Sequence, residues 1–160
     1  EGVETTKIAS VSRYSLTPGS GQVFFRVTDL TSAEPTLIQG WTMPVGRLTS
    51  ARHQWETLIP RLFETIPEIA ANQHARIKVS AGGFDALIYA AARLYDPRSA
   101  DIAIWTPKAL QSPIISAVRD WAGAEGFRSI WLMVPSSAVE ALGPDAEADG
   151  YTLETHKLAW

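Results

Sequence analysis

His53 and Glu56 stand three residues apart in a stretch with helical spacing, so both side chains can face one cleft as a base and a carboxylate. A solvated helix face holds such a pair equally well. Ser112-Pro113 opens another helical stretch. A helix start attracts anions on general grounds, because its first amides are free and the helix dipole is positive there. Lys108 would assist, and a serine cap with a basic neighbour explains the same residues. Asp29 and Glu56 invite the two-metal chemistry of an RNase-H-like nuclease, which needs a third acid, and the run from Ala75 to Ser80 ends without one. A serine hydrolase would need a Gly-x-Ser-x-Gly elbow, and none is present. The chain has no cysteine, which excludes disulfides, thiolate metal sites and cysteine nucleophiles. His53, His74 and His156 share no metal-ligand spacing, so no metal is expected. Among the six tryptophans, Trp41, Trp105, Trp131 and Trp160 are spread along the chain, with Trp105 and Trp131 expected on neighbouring strands. They fit a core; lining a cleft, they would favour an apolar or aromatic group.

Length and composition bound the frame that must position these residues. The 160 residues are 46% hydrophobic and 19% charged, which fits one domain with a full core and no disordered chain. No apolar run approaches the roughly 20 residues of a membrane helix, so no membrane is expected. A formal net charge of -3 argues against nucleic acid as the main partner. Glu1 to Ser10 lack the basic start and apolar stretch of a signal peptide, from which a cytoplasmic location is expected.

The elements follow from periodicity and turn residues. Thr6 to Leu16 and Gln22 to Thr28 are rich in β-branched and aromatic residues around Thr17-Pro18-Gly19-Ser20-Gly21, which reads as a hairpin. Asp29 to Leu48 holds no long period and reads as a short helix and a loop. Thr49 or Ser50 caps a helix carrying Trp55, Leu58, Ile59, Leu62, Phe63 and Ile66, kinked at Pro60. A three-strand meander follows over Ala75 to Ser80, Ala86 to Tyr95 and Asp101 to Thr106, with turns at Gly82-Gly83 and at Asp96-Pro97-Arg98-Ser99. Ser112 to Gly126 is a helix with Ile114, Ile115, Val118, Trp121 and Ala122 on one face. Ile130 to Val134 is a buried strand, Ala138 to Leu142 a last helix, and Tyr151 to Trp160 a closing strand. Antiparallel pairs with one crossover place the chain in the α+β class with a mixed sheet. Leu58, Leu62, Phe63, Ile114, Val118, Leu132 and Val134 are the expected core.

This order, from Gln22 to Trp160, resembles the GNAT superfamily of acyl-CoA-dependent N-acyltransferases. The resemblance is carried by Ile102-Ala103-Ile104-Trp105-Thr106-Pro107 leading through Lys108 to Gln111 into the helix from Ser112 to Val118. Trp121 to Pro135 looks like the family's helix, turn and fifth strand, and Gly150-Tyr151 stands where Gly-Phe or Gly-Tyr usually precedes the closing strands. It implies a single domain over residues 1–160, with 1–21 an added strand and turn, and a central mixed, mostly antiparallel sheet flanked by helices. The strand ending at Pro107 should run parallel to Ile130 to Val134, its neighbour. Where the family's turn carries two glycines, this chain has Gln111, Pro113 and Ile115, and Pro113 has no amide to offer a phosphate. Only one closing strand is visible where the family usually has two.

The resemblance implies acyl-CoA as co-substrate. Ile104, Trp105 and Thr106 would offer strand hydrogen bonds to the pantetheine arm, and Lys108, Gln111, Ser112, Ile114 and Ile115 would surround the pyrophosphate. With the glycines missing, affinity should be no better than tens of micromolar, about -6 kcal/mol. An amine of a small molecule or protein would attack the thioester directly. Asp101, the only acid on the expected fourth strand, would take its proton unless it belongs to the turn before that strand, and Glu56 and His53 are the other candidates. A homodimer is compatible with this reading. The alternative is a domain of the same fold that has lost coenzyme A and serves as a binding, regulatory or assembly module.

Overall fold

A computed structural model describes residues 4–19, 24–29, 41–46, 73–93 and 95–159. The helix expected from Thr49 or Ser50, with Leu58, Leu62, Phe63, His53 and Glu56, lies outside the described residues, as do Trp55 and Trp160. The described strands are β1 (Glu4–Leu16), β2 (Arg26–Asp29), β3 (Thr42–Val45), β4 (Gln73–Ala81), β5 (Phe84–Arg93), β6 (Asp96–Thr106), β7 (Ser129–Pro135) and β8 (Glu147–Ala159). Helix α1 (Ser112–Ala124) joins β6 to β7, and a 3-10 helix, Ser136–Leu142, stands where the last helix was expected. Among the described residues the eight strands form one mixed sheet in the order β2-β4-β5-β6-β7-β1-β8, with β3 paired to β6 beside that path.

The meander is as the alternation implies: β4 pairs with β5 and β5 with β6, both antiparallel. The run Ala86 to Ala91 is apolar at every position because both of its faces are buried. Ile88 and Ala90 join the core cluster with Ile114 and Val118 of α1, while Leu87 and Tyr89 alternate to the other face. There Tyr89 meets Trp105 edge-to-face at 5.2 Å. β6 and β7 are parallel neighbours joined by α1, as expected, and Ile114, Val118, Leu132 and Val134 are buried.

Three expectations are corrected. β1 and β2 form no hairpin: β1 lies between β7 and β8, antiparallel to both, and β2 pairs with β4 at the opposite end of the sheet. β1 has thirteen residues and β2 four, so pairing with β2 alone would leave most of its backbone groups without partners. The expected turn instead ties β1 to the helix, with Gly19 N–H donating to Arg119 O at 2.9 Å and Arg119 Nε donating to Thr17 O at 2.8 Å. The second correction is at Asp96 to Ser99, which is the start of β6 and no turn. Pro97 is tolerated so near a strand start, and the Ser99 hydroxyl bonds Asp96 Oδ2 at 2.5 Å and lies 2.6 Å from the Ser129 hydroxyl across the β6–β7 pair. Asp101 is therefore a mid-strand residue. The third concerns Asp29 to Leu48, whose described part holds β3.

Candidate functional site

The ladder between β6 and β7 runs from Ser99↔Ser129 to Ile102↔Leu132 and stops. Beyond it, β6 stays with β5 as far as Leu87↔Trp105, while β7 stays with β1 as far as Val11↔Pro135. The two parallel strands thus separate toward their carboxyl ends, consistent with the twist that accumulates across a sheet. Pro107 and Pro135 stand at the two ends, where neither can donate to a ladder.

β3 occupies this slot. It pairs antiparallel with β6 at Thr42↔Thr106 and Val45↔Ile104, and Gly46 N–H donates to Met133 O of β7 at 2.8 Å. Val45 is fully buried among the core residues. Gly46 has φ +147°, a conformation open to glycine and strained for other residues, which lets the chain reach β7 directly after the buried valine. Ile104 and Thr106, expected to hold an open strand edge, are paired on that edge by the chain itself. Trp105 is a buried core residue.

The helix start is built for packing. Gln111, extended at φ -114° and ψ 144°, is the N-cap residue, and Ser112, the expected cap, is the first helical residue. The shift follows from the Gln111 carbonyl, which accepts from Ile114 N–H at 3.1 Å and so opens the helix one residue earlier. Of the amides expected to face a pyrophosphate, Pro113 supplies none and Ile114's is taken. The Ile114 and Ile115 side chains are buried beneath the sheet, while Lys108 is exposed. Thr106 Oγ1 donates to Lys108 O and closes the bend after the strand.

The β4–β5 turn covers Pro113. A Cβ on Gly82, whose φ is +59°, would lie 2.9 Å from both Cβ and Cγ of Pro113. Gly82→Ala is therefore expected to lose about 1–3 kcal/mol in urea denaturation, from the strained φ and the contact together. A loss near zero would show that the turn is free to lift from the helix.

A polar row crosses the opposite face of the sheet. The Arg13 guanidinium lies 5.1 Å from the Trp131 ring and 4.7 Å from the Tyr151 ring, and that of Arg93 lies 4.7 Å from Trp131. Arg13 holds Asp149 through Nε at 2.6 Å and Nη2 at 2.5 Å, and Arg93 stands 4.0 Å from Asp101. Asp101 thus belongs to this row, opposite Trp131 in register and alternating away from the face of Ile102 that meets α1. Sequence spacing singled out neither arginine, since β1, β5 and β7 bring them to one indole only in the assembled sheet. The hydrogen bond from Arg13, with that from Tyr151 N–H, holds the Asp149 carboxyl below its ordinary 3.8. A depressed carboxylate adds stability that is complete above the ordinary value and lost as pH falls through the folded one. Carboxyl NMR is expected to place the Asp149 midpoint below 3.8, and Arg13→Ala to return it toward that value; a midpoint at or above 3.8 in the unaltered protein would contradict the pairing.

Among the described residues no group of three or more acids or histidines is placed to hold a metal. None of the described helices is long and apolar enough to cross a membrane. Asp29, weighed as a metal ligand, lies on the exposed edge strand β2, and its proposed partner Glu56 is outside the described residues. Comparison with protein-family models, curated proteins and solved structures returns no match.

Proposed function

We propose that this chain is a GNAT-like domain that works as a binding or assembly module and has no place left for coenzyme A. The observation that carries this is β3, seated on the β6 edge that would receive a pantetheine arm. Entry of that arm would expel β3, exposing Val45 at about 1.5–3 kcal/mol and breaking hydrogen bonds at about 1 kcal/mol each. The best affinity the helix start could give, about -6 kcal/mol, would fall to roughly -3 or weaker, a dissociation constant above about 1 mM. Pro113, locked under Gly82, works in the same direction. Thermal unfolding with about 1 mM acetyl-CoA is expected to leave Tm unchanged, because a ligand well below its dissociation constant adds almost nothing to stability. A saturable rise in Tm would overturn the proposal.

The splay of β6 from β7, with a helix leading from one to the other, favours a second reading: acyl transfer from acyl-CoA to an amine of a small molecule or protein. In that reading Asp101 takes the amine proton and the helix start at Ser112 meets the pyrophosphate. It requires β3 to leave the slot, at a cost of about half the best affinity the helix start could give.

A further inference from the structure

We propose that β3 is an exchangeable strand and that the slot between β6 and β7 accepts in its place an extended peptide carrying an aliphatic residue followed by glycine. This rests on the reading of the domain as a binding module and names the partner class of the same slot. β3 is held sparsely. Only Thr42 and Val45 are in register with β6, the register breaks between them, and Pro44 in the middle of the strand has no N–H to donate. Among the described residues its backbone tie to β7 is the bond from Gly46. β5, by contrast, pairs along nearly its whole length on both edges. Local opening draws on segments with few ladder bonds, and β3, with two register positions on β6, is such a segment.

What the slot asks of an occupant is equally defined. One position must bury an aliphatic side chain where Val45 sits among the core residues, and the next must take φ near +147° and present an amide to Met133 O, which selects glycine. A peptide with this pattern refills the Val45 position and restores the bond to Met133 O. A pantetheine arm has no side chain for the Val45 position, so the slot discriminates between them. Strand addition at a bare sheet edge, with pockets for alternate side chains, is an established mode of peptide recognition. The tethered β3 competes at an effective concentration of about millimolar, so a peptide in trans binds weakly until β3 is weakened.

The probe is a synthetic peptide with the sequence Trp41 to Arg47, added to the whole chain and followed through the amide signals of Met133 and Ile104. Val45→Asp in the protein is expected to tighten binding at least ten-fold over the unaltered chain, and the same change in the peptide to abolish it. Absence of saturable binding to a folded Val45→Asp chain overturns the proposal. Should that variant fail to fold, hydrogen exchange on the unaltered protein decides. The Gly46 amide is expected to exchange at least a hundred-fold faster than that of Ile88, and equal protection of the two overturns strand exchange. Failure here with acetyl-CoA inert leaves the binding-module reading standing, whereas binding of acetyl-CoA removes that reading whatever the peptide does.

Discussion

Leu132→Ala is expected to cost about 2–5 kcal/mol in chemical denaturation. Leu132 is 1% exposed, stands opposite Ile102 on the last rung of the β6–β7 ladder, and shares the core with Ile114 and Val118 of α1. Truncation removes apolar atoms at the place where two strands and a helix converge. None of the three can close the cavity without breaking its own pairing, so the loss should fall in the upper part of that range. A loss below about 1 kcal/mol would show that β7 is not central to the core.

A carboxylate at Ile104 and one at Val45 are expected to behave differently, although both side chains are fully buried and the two residues are in register. Ile104 is paired to Ile88 on one edge and to Val45 on the other, so β6 cannot withdraw to hydrate the charge. An uncompensated buried charge costs about 3–5 kcal/mol or more, comparable to the whole stability of many domains. Ile104→Asp should therefore abolish the cooperative urea transition. In Val45→Asp the strand can leave and carry the carboxylate into water, so the cost is limited to the loss of β3. A cooperative transition at a lower midpoint is expected, with β-sheet circular dichroism retained. Equal loss of folding in both variants would show that the cost at Val45 is not limited to the release of β3.

The sequence made the meander and the helix legible because each rests on local periodicity and on turn residues such as Gly82-Gly83, while the parallel β6–β7 pair was an expectation from the family resemblance. The apolar face Ile114, Ile115, Val118, Trp121 and Ala122 could be read directly, and all five are buried. β1 could not be placed in this way. Its partners Leu132 and Leu153 lie more than a hundred residues away in the chain, and the nearby Thr17 to Gly21 imitated a hairpin turn. β3 was hidden for a different reason: four residues with a proline among them show no alternation, and its strand character comes from the slot it enters. Asp101 was legible as an acid on the fourth strand, but its neighbours Arg93 and Trp131 become neighbours only through strand register. The helix cap was read one residue late because Ser112 has the better capping side chain, while the Gln111 carbonyl supplies the first bond.

The most direct measurement is the amide NMR spectrum of the intact chain as acetyl-CoA is added to about 5 mM, followed at Gly46, Ile104, Met133 and Ser112. With β3 filling the slot and Pro113 seated under Gly82, these four signals are expected to show no saturation over this range, since a dissociation constant of several millimolar or more leaves at most a weak linear drift. Saturable shifts at Ser112 together with Gly46 and Met133 would mean that coenzyme A enters between β6 and β7, and would contradict the assignment of the slot to β3.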